Sequence, residues 1–330
     1  MQVQFLGITM GDPAGVGPEV IAKSLKLRGE TFPQCIIFGS PEIIIDEFKK
    51  VNFPITFHVI DDFDEIKPLP LKQGILLYRT FDVPKKIPIG QVDGQCGSAA
   101  YDAIIKGINA ANCGHIQALV TAPINKESLR EAEVSFIGHT EILAELTKTP
   151  EVFMLMVNDV LKIILCTVHV SLRKALESLN IDLVYRTVKM AEMACLRLDL
   201  DKPRIAVAGL NPHAGENGLM GQEDNLIIKP AIERASREGI NVSGPWPPDT
   251  VFMKAREGHF DIVVAQYHDQ GLIPIKYLGL DSGVNITMGL PYVRTSPDHG
   301  TAFDIAGKGI ADPKSFICAI HYASKLLADS

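Results

Sequence analysis

The chain has 330 residues, 46% of them hydrophobic, and a formal net charge of −7 at neutral pH. That length has room for about two domains with sizeable cores. The acidic balance excludes a nucleic-acid surface built on a basic stripe, so any anion must be recognised by a few local groups.

Six cysteines, Cys35, Cys96, Cys113, Cys166, Cys195 and Cys318, are scattered without a C-x-x-C pair, the pattern of small reduced core residues in a cytoplasm. The opening MQVQFLGITMGDP has no basic leader and reaches a Gly-Asp-Pro turn too early for a signal segment. No run approaches the apolar length that spans a bilayer. The expectation is a cytoplasmic protein without membrane or nucleic-acid partners.

Phe5 to Met10 reads as a strand, followed by the loop GDPAGVG and a helix opening near Pro18. The loop lacks the Gly-Lys-Ser/Thr of a P-loop and the spacing of a dinucleotide fingerprint, and it reads equally as a tight turn. Strands follow at Cys35 to Phe38 and Ile55 to Ile60, with a helix from Pro41 to Lys50 between them. Such alternation implies a sheet covered by helices. Lys67 to Pro70 and Val83 to Pro88 read as proline-bearing connectors. A helix from Gly97 to Ala111 and a buried-type strand from Ala118 to Thr121 lead to Ala122-Pro-Ile-Asn-Lys126, where a domain crossover is expected.

Phe136 to Glu141 enters a helix for which Thr140 is the expected N-cap; with His139 beside it, that helix start would suit an anion. Val152 to Val157 and Leu161 to Val168 flank Asn158-Asp159 as a β-hairpin. Helices at Leu172 to Leu179 and Asp182 to Arg197 precede the strand Arg204 to Ala208 and its glycine-rich end GLNPHAGENG. A helix near Leu226 to Glu238 and the loop Pro245 to Thr250 complete this stretch.

The densest chemistry lies between Asp261 and Gly300. Ile262 to Ala265 is a short, β-branched, buried-type strand, and Tyr267-His-Asp-Gln-Gly271 falls past its C-terminal end, where open α/β sheets bind ligands. Lys276, Asn285 and Arg294 then supply two cations and an amide on neighbouring segments, a set that suits a small anion. Taken singly, His268 is better explained as a satisfied loop histidine, Lys276 as a solvated amine and Arg294 as half of an ion pair.

His169, His213 and His268 share one placement, each just after a strand. Neutral imidazoles converging on a sheet rim suit a catalytic divalent ion with an open position. Asp269, Glu216 and Asp249 are acidic neighbours able to orient such a ligand, although caps and turns account for them too.

The blocks GDPAGVGPE, TAPINK, GHTE, GLNPHAGENG, YHDQG and GVNITMGLPYVRTSPDHGTAFDIAGKG together resemble the PdxA family, the 4-hydroxythreonine-4-phosphate dehydrogenases of pyridoxal phosphate synthesis, from Gly11 to beyond Gly309. The segment His299 to Pro313 is similar to the cofactor loop of isopropylmalate and isocitrate dehydrogenases. The resemblance implies two α/β/α domains with mixed sheets flanking a cleft. Residues 1–125 with 291–330 would form the cofactor side, and 126–290 the metal and substrate side carrying the contacts of a homodimer whose partner completes the site.

It further implies His169, His213 and His268 as ligands of a divalent metal (zinc, cobalt, magnesium, manganese or nickel). His139, Thr140, Lys276, Asn285 and Arg294 would bind the phosphorylated substrate. Lys276, Asp249 and Asp269 are the catalytic candidates, and His299, Gly300, Asp304 and Asp312 the cofactor loop, with acids there favouring NAD over NADP. The reaction implied is oxidation of the C3 hydroxyl of 4-(phosphooxy)-L-threonine, then decarboxylation to 3-amino-2-oxopropyl phosphate. A second branch of the family takes D-threonate or D-erythronate 4-phosphate to dihydroxyacetone phosphate. A non-redox phosphatase or aldolase would share the histidines but would have no use for the loop HGTAFDIAGKG.

Overall fold

The computed structural model describes residues 4–28, 33–69, 73–82, 86–136, 138–279 and 282–328. Pro70 and residues 83–85 of the expected connectors lie outside the described residues. The chain divides into two compact units, one of residues 1–152 with 290–328 and one of 153–289.

In the first unit β1 (Leu6–Thr9) runs into α1 (Gly17–Arg28), β2 (Cys35–Gly39), α2 (Pro41–Lys50), β3 (Phe57–Ile60) and β4 (Ile75–Arg79). The helix α3 (Gly94–Asn112), β5 (Ala118–Thr121), α4 (Lys126–Glu131) and α5 (His139–Leu146) follow. β1, β2 and β5 are buried along their whole length. Such strands need apolar residues on both faces because helices cover both. α3 starts where the Asp93 carboxylate accepts the Cys96 N–H at 2.9 Å, a three-residue reach typical of an N-cap.

The crossover expected at 122–126 does not occur there. α4 packs on α3 so closely that Gly97 has no room for a side chain against Ser128, and residues 126–152 stay with the first unit.

The second unit opens with β6 (Phe153–Val157) and β7 (Lys162–Leu165), an antiparallel pair. Asn158 closes the hairpin by accepting the N–H groups of Val160 and Leu161 at 2.9 and 2.7 Å. Then come α6 (Leu172–Ser178), α7 (Ile181–Leu196), β8 (Ile205–Ala208), α8 (Lys229–Arg237), β9 (Val242–Trp246), α9 (Val251–Arg256), β10 (Ile262–Ala265), α10 (His268–Tyr277) and β11 (Val284–Met288). Their order is β11-β6-β7-β10-β8-β9. β7, β10, β8 and β9 run parallel, whereas β11 and β6 pair antiparallel. The core between β7, β8, β10 and their helices gathers Ile163, Leu165, Val263, Ala265, Leu272 and Ile275.

The chain then returns to the first unit as β12 (Val293–Pro297) and α11 (Lys314–Ala328). β12 lies parallel to β5, completing a six-stranded parallel sheet of order β3-β4-β2-β1-β5-β12. All six cysteines are free thiols. Among the described residues no helix is long and apolar enough to cross a membrane.

Candidate active site

Three adjacent parallel strands, β7, β10 and β8, end beside one another, and each is followed within a few residues by a histidine. His169 follows β7, His268 is the first residue of α10 after β10, and His213 follows β8. Parallel strands put their C-terminal ends on one rim, where successive loops supply side chains to a ligand.

Two of the three rings meet. The imidazoles of His169 and His268 have centroids 5.7 Å apart, over a cleft of 230 Å³ walled by Thr167, Val168, Leu172 and Tyr267. Two imidazoles bound to one ion at about 2 Å put their centroids roughly 5 Å apart, so the pair has the spacing of a shared metal. His268 Nδ1 lies 2.7 Å from Asp269 Oδ1; a proton held there leaves Nε2 with its lone pair, the arrangement of an oriented ligand. His213 stands apart. Among the described residues no three His, Cys, Asp or Glu side chains are gathered closely enough to hold a metal ion.

The turn that carries His213 is unusual. His213, Ala214, Gly215, Glu216 and Asn217 take φ of 55, 53, 79, 44 and 56°, one left-handed turn following Pro212. For the four that are not glycine, this conformation costs about 1–2 kcal/mol each, so the surroundings must hold it. The buried carboxylate of Asp224 accepts the Leu210 and Asn211 N–H groups at 2.8 and 3.0 Å. Gln270 Nε2 donates to Gly209 O and Gln266 Nε2 to Ala208 O, both at 2.7 Å. Gln270 Oε1 in turn accepts the Gln266 N–H at 2.7 Å. Two buried amides therefore lock the end of β8 to the start of α10, and with it the approach to His213 to the approach to His268.

A second polar centre lies in the first unit. Arg294 on β12 is 3% exposed and its Nη2 donates to Thr121 Oγ1 at 2.7 Å. Burial lowers its guanidinium to about 10, so it stays charged at neutral pH. His139, at the start of α5, has a buried Nε2 without a hydrogen-bond partner. Burial first, and the Arg294 charge second, hold its imidazole well below the usual histidine range and therefore neutral. The Tyr292 hydroxyl is buried without a partner as well, and burial pushes its pKa up. A buried cation beside unpaired polar atoms of neutral side chains is an arrangement that suits an anion.

The N-cap of α5 is Gly138 rather than Thr140, which is the second residue of the helix. Asp249 does not cap α9 either. The cap is Thr250, without a side-chain bond to the helix, and Asp249 is exposed just ahead of it.

Lys276 lies in the last turn of α10 with an exposed side chain. Asn285 is on β11 opposite Met156, its Oδ1 buried and unpaired. Sequence reasoning passed over Asp224, Gln266 and Gln270, which touch no expected ligand but position the segments that do. The one sequence signal for the left-handed turn was the run Gly, Asn, His, Gly, Asn, Gly in GLNPHAGENG.

The loop from His299 to Gly309 belongs to the first unit and packs on the first glycine loop. Val16 N–H donates to Thr301 O at 3.0 Å, and a side chain at Gly15 would strike Thr301. Lys23 Nζ holds Gly309 O and Ala311 O at 3.0 and 2.7 Å. His299 Nδ1 meets Gly300 O at 2.9 Å and its Nε2 is buried and unpaired. Asp304 is exposed, whereas Asp312 accepts the Lys314 N–H at 2.9 Å and so opens α11. On one side of Gly307 is a cleft of 830 Å³ bounded by Pro13, Gly15, Pro18 and Ile89. On the other is one of 610 Å³ bounded by Lys23, Lys50 and Lys308.

The family model "Pyridoxal phosphate biosynthetic protein PdxA" matches residues 31–323. The chain belongs to the PdxA family. It is 48% identical to a 4-hydroxythreonine-4-phosphate dehydrogenase of Beijerinckia indica, over 97% of this chain and 94% of that one. It is 42% identical to a D-threonate 4-phosphate dehydrogenase of Pectobacterium atrosepticum, over 98% and 99%. Its fold superposes on the crystal structure of 4-hydroxythreonine-4-phosphate dehydrogenase from Klebsiella pneumoniae with a TM-score of 0.84, at 41% identity and 98% coverage of both chains. Membership in this family of dehydrogenases makes the chain an oxidoreductase acting on a CH–OH group.

Proposed function

We propose that the protein oxidises the C3 hydroxyl of 4-(phosphooxy)-L-threonine with NAD and a divalent metal, and releases CO2 to leave 3-amino-2-oxopropyl phosphate. The observation that carries this reading is the His169–His268 pair with Asp269 on the His268 Nδ1, in a chain of this family. When bound, NAD would supply the hydride acceptor for C3, and a zinc, cobalt, magnesium, manganese or nickel ion would supply Lewis acidity at the substrate oxygens.

The chain's own side chains supply the rest. His169, His268 and His213 would hold the ion, and Asp269 keeps the His268 lone pair aimed outward. Arg294 and neutral His139, with the N–H groups at the start of α5 beside Thr140, offer charge and donors to the phosphate. Asn285 adds an amide to the substrate contacts. Lys276 would return the proton to the carbon that loses CO2. The loop His299, Gly300, Asp304 and Asp312, beside the two clefts at Gly307, would take the adenosine half of NAD. The homodimer expected for the family and a cytoplasmic location belong to the same reading.

One observation favours a second substrate. An ammonium at C2 calls for a carboxylate, and Asp269 is already engaged by His268; a C2 hydroxyl, as in D-threonate or D-erythronate 4-phosphate, makes no such demand. Steady-state assays of both substrate sets with NAD and each metal decide. Turnover of phosphohydroxythreonine supports the first reading. Turnover of the sugar acid alone, yielding dihydroxyacetone phosphate, replaces it, and turnover of neither overturns both.

A further inference from the structure

We propose that Lys23 is a tethered cation: its ammonium group fills a cage of three oxygens and fastens the end of the 299–309 loop to α1, in the shape that receives the nucleotide. The proposal rests on the reading of that loop as the seat of NAD.

Lysine offers three N–H donors around a compact charge, and three acceptors converge on Lys23 Nζ. Gly309 O stands at 3.0 Å, Ala311 O at 2.7 Å and Glu19 Oε1 at 2.7 Å. Glu19 Oε1 also accepts the Ala311 N–H at 2.9 Å, so one turn of α1 grips residue 311 by both of its backbone groups. Glycine supplies the left-handed backbone that leads into the cage, with φ of 73° at Gly307 and 71° at Gly309.

Residues 307–310 are exposed in succession, and Ile310 is 64% exposed, so burial of side chains does little to hold them. The polar grip holds them instead, as the Val16 N–H on Thr301 O does at the start of the loop. Glu19 lines the cleft on one side of Gly307 and Lys23 the cleft on the other, so a slackened loop would alter both.

Glu19 is 3% exposed and its Oε2 has no hydrogen-bond partner. A carboxylate buried in this way demands a cation. With Lys23 truncated, the cage would keep one negative charge and two carbonyl oxygens aimed at an empty point. Free ammonium, which carries the same donors, meets that demand.

The test is limited trypsin digestion of the full chain, with the fragment that ends at Lys308 quantified by mass spectrometry. Lys23→Ala is expected to be cut after Lys308 about tenfold faster than wild type, through loss of hydrogen bonds to a charged group. Ammonium chloride should restore the wild-type rate, whereas tetramethylammonium chloride at the same ionic strength should not. Wild-type protein should respond to neither salt. Glu19→Gln, which keeps the shape of the cage without its charge, should be cut faster by a smaller factor, and it covers the case in which Lys23→Ala does not fold. NAD should slow the cut in wild type and require a higher concentration to do so in Lys23→Ala. In steady state, KM for NAD should rise in that variant while kcat falls much less. Cleavage at the wild-type rate in both variants, equal restoration by the two salts, or NAD protection at one concentration in both proteins overturns the proposal. If NAD leaves cleavage of wild type unchanged while the ammonium response holds, the clamp stands and the reading of the loop as the NAD seat fails, a distinct result.

Discussion

The two polar centres of the molecule solve opposite problems. Around Arg294 the polar groups are dry: the cation is buried, and His139 and Tyr292 keep unpaired polar atoms inside. Around the histidines of the second unit the side chains are wet: His169 and His213 are exposed and His268 is half-buried, but the backbone beneath them is constrained by Asp224, Gln266 and Gln270. A dry centre sets affinity through desolvated charge and leaves little freedom to the side chain. A wet one sets geometry largely through the backbone, with the one carboxylate held on His268 as its side-chain restraint. An anchor for a fixed charge and a seat for an exchangeable ion have just these needs.

The comparison breaks most severely if the histidine pair is dispensable. His268→Ala is expected to lower kcat/KM about a thousand-fold, roughly 4 kcal/mol of transition-state stabilisation, with the melting temperature preserved. Metal titration of the same variant should show the lost ligand. Retention of more than a tenth of wild-type kcat/KM would remove the pair from the chemistry.

Next in size is the buried cation. Arg294→Ala should raise KM for the phosphorylated substrate about 100-fold, as when one partner of a buried charge pair is truncated, while kcat falls much less. Inorganic phosphate should protect wild-type protein from heat and leave the variant unprotected. An unchanged KM would show that the dry centre is structural only.

His139 sharpens the contrast through pH. Its folded pKa lies below the ordinary 6.5 because of burial and then Arg294, so the unfolded chain binds the proton first. Its contribution to stability is therefore complete above about pH 6.5 and is lost as pH falls below that value toward the depressed folded pKa. His139→Gln should flatten the melting temperature between pH 5 and 7, read by calorimetry. A slope equal to the wild type's would contradict the dry description. The smallest effect concerns the left-handed turn: Ala214→Gly, at φ 53°, should stabilise by about 0.5–1 kcal/mol. A lowered melting temperature would mean that the turn is not strained at that position.

Periodicity and turn chemistry made most of the strands legible, as with the all-apolar runs of β8 and β10 and the buried-type run of β5. β4 lies between two proline-bearing connectors, in a stretch to which the sequence reading assigns no element. β9 contains Gly244 and Pro245, which read as a loop, and pairs with β8 across a register shift. α10 was hidden for a related reason. Gly271 and Pro274 interrupt its helical pattern, but a side chain at Gly271 would strike Leu165 and Ile163: the glycine is there because the helix lies directly on β7. At the site, residue types and order pointed to the histidines and to Arg294. Their coordination with Asp224, Gln266 and Gln270 was not legible, since the bonds from these side chains to the end of β8 join residues 13 to 61 positions apart and leave no local pattern.

The return of the chain as β12 also bears on how the protein is made. β5 emerges from the ribosome long before its partner, because the whole of residues 153–289 is synthesised between them. Until then β5 is an exposed sheet edge, largely apolar and open to pairing with any passing strand. The inserted unit, continuous in sequence, has every strand it needs as soon as it emerges. Vectorial synthesis therefore favours completion of the histidine-bearing half first, and the nascent chain is most exposed to misassembly while the Arg294 half waits for its last strand.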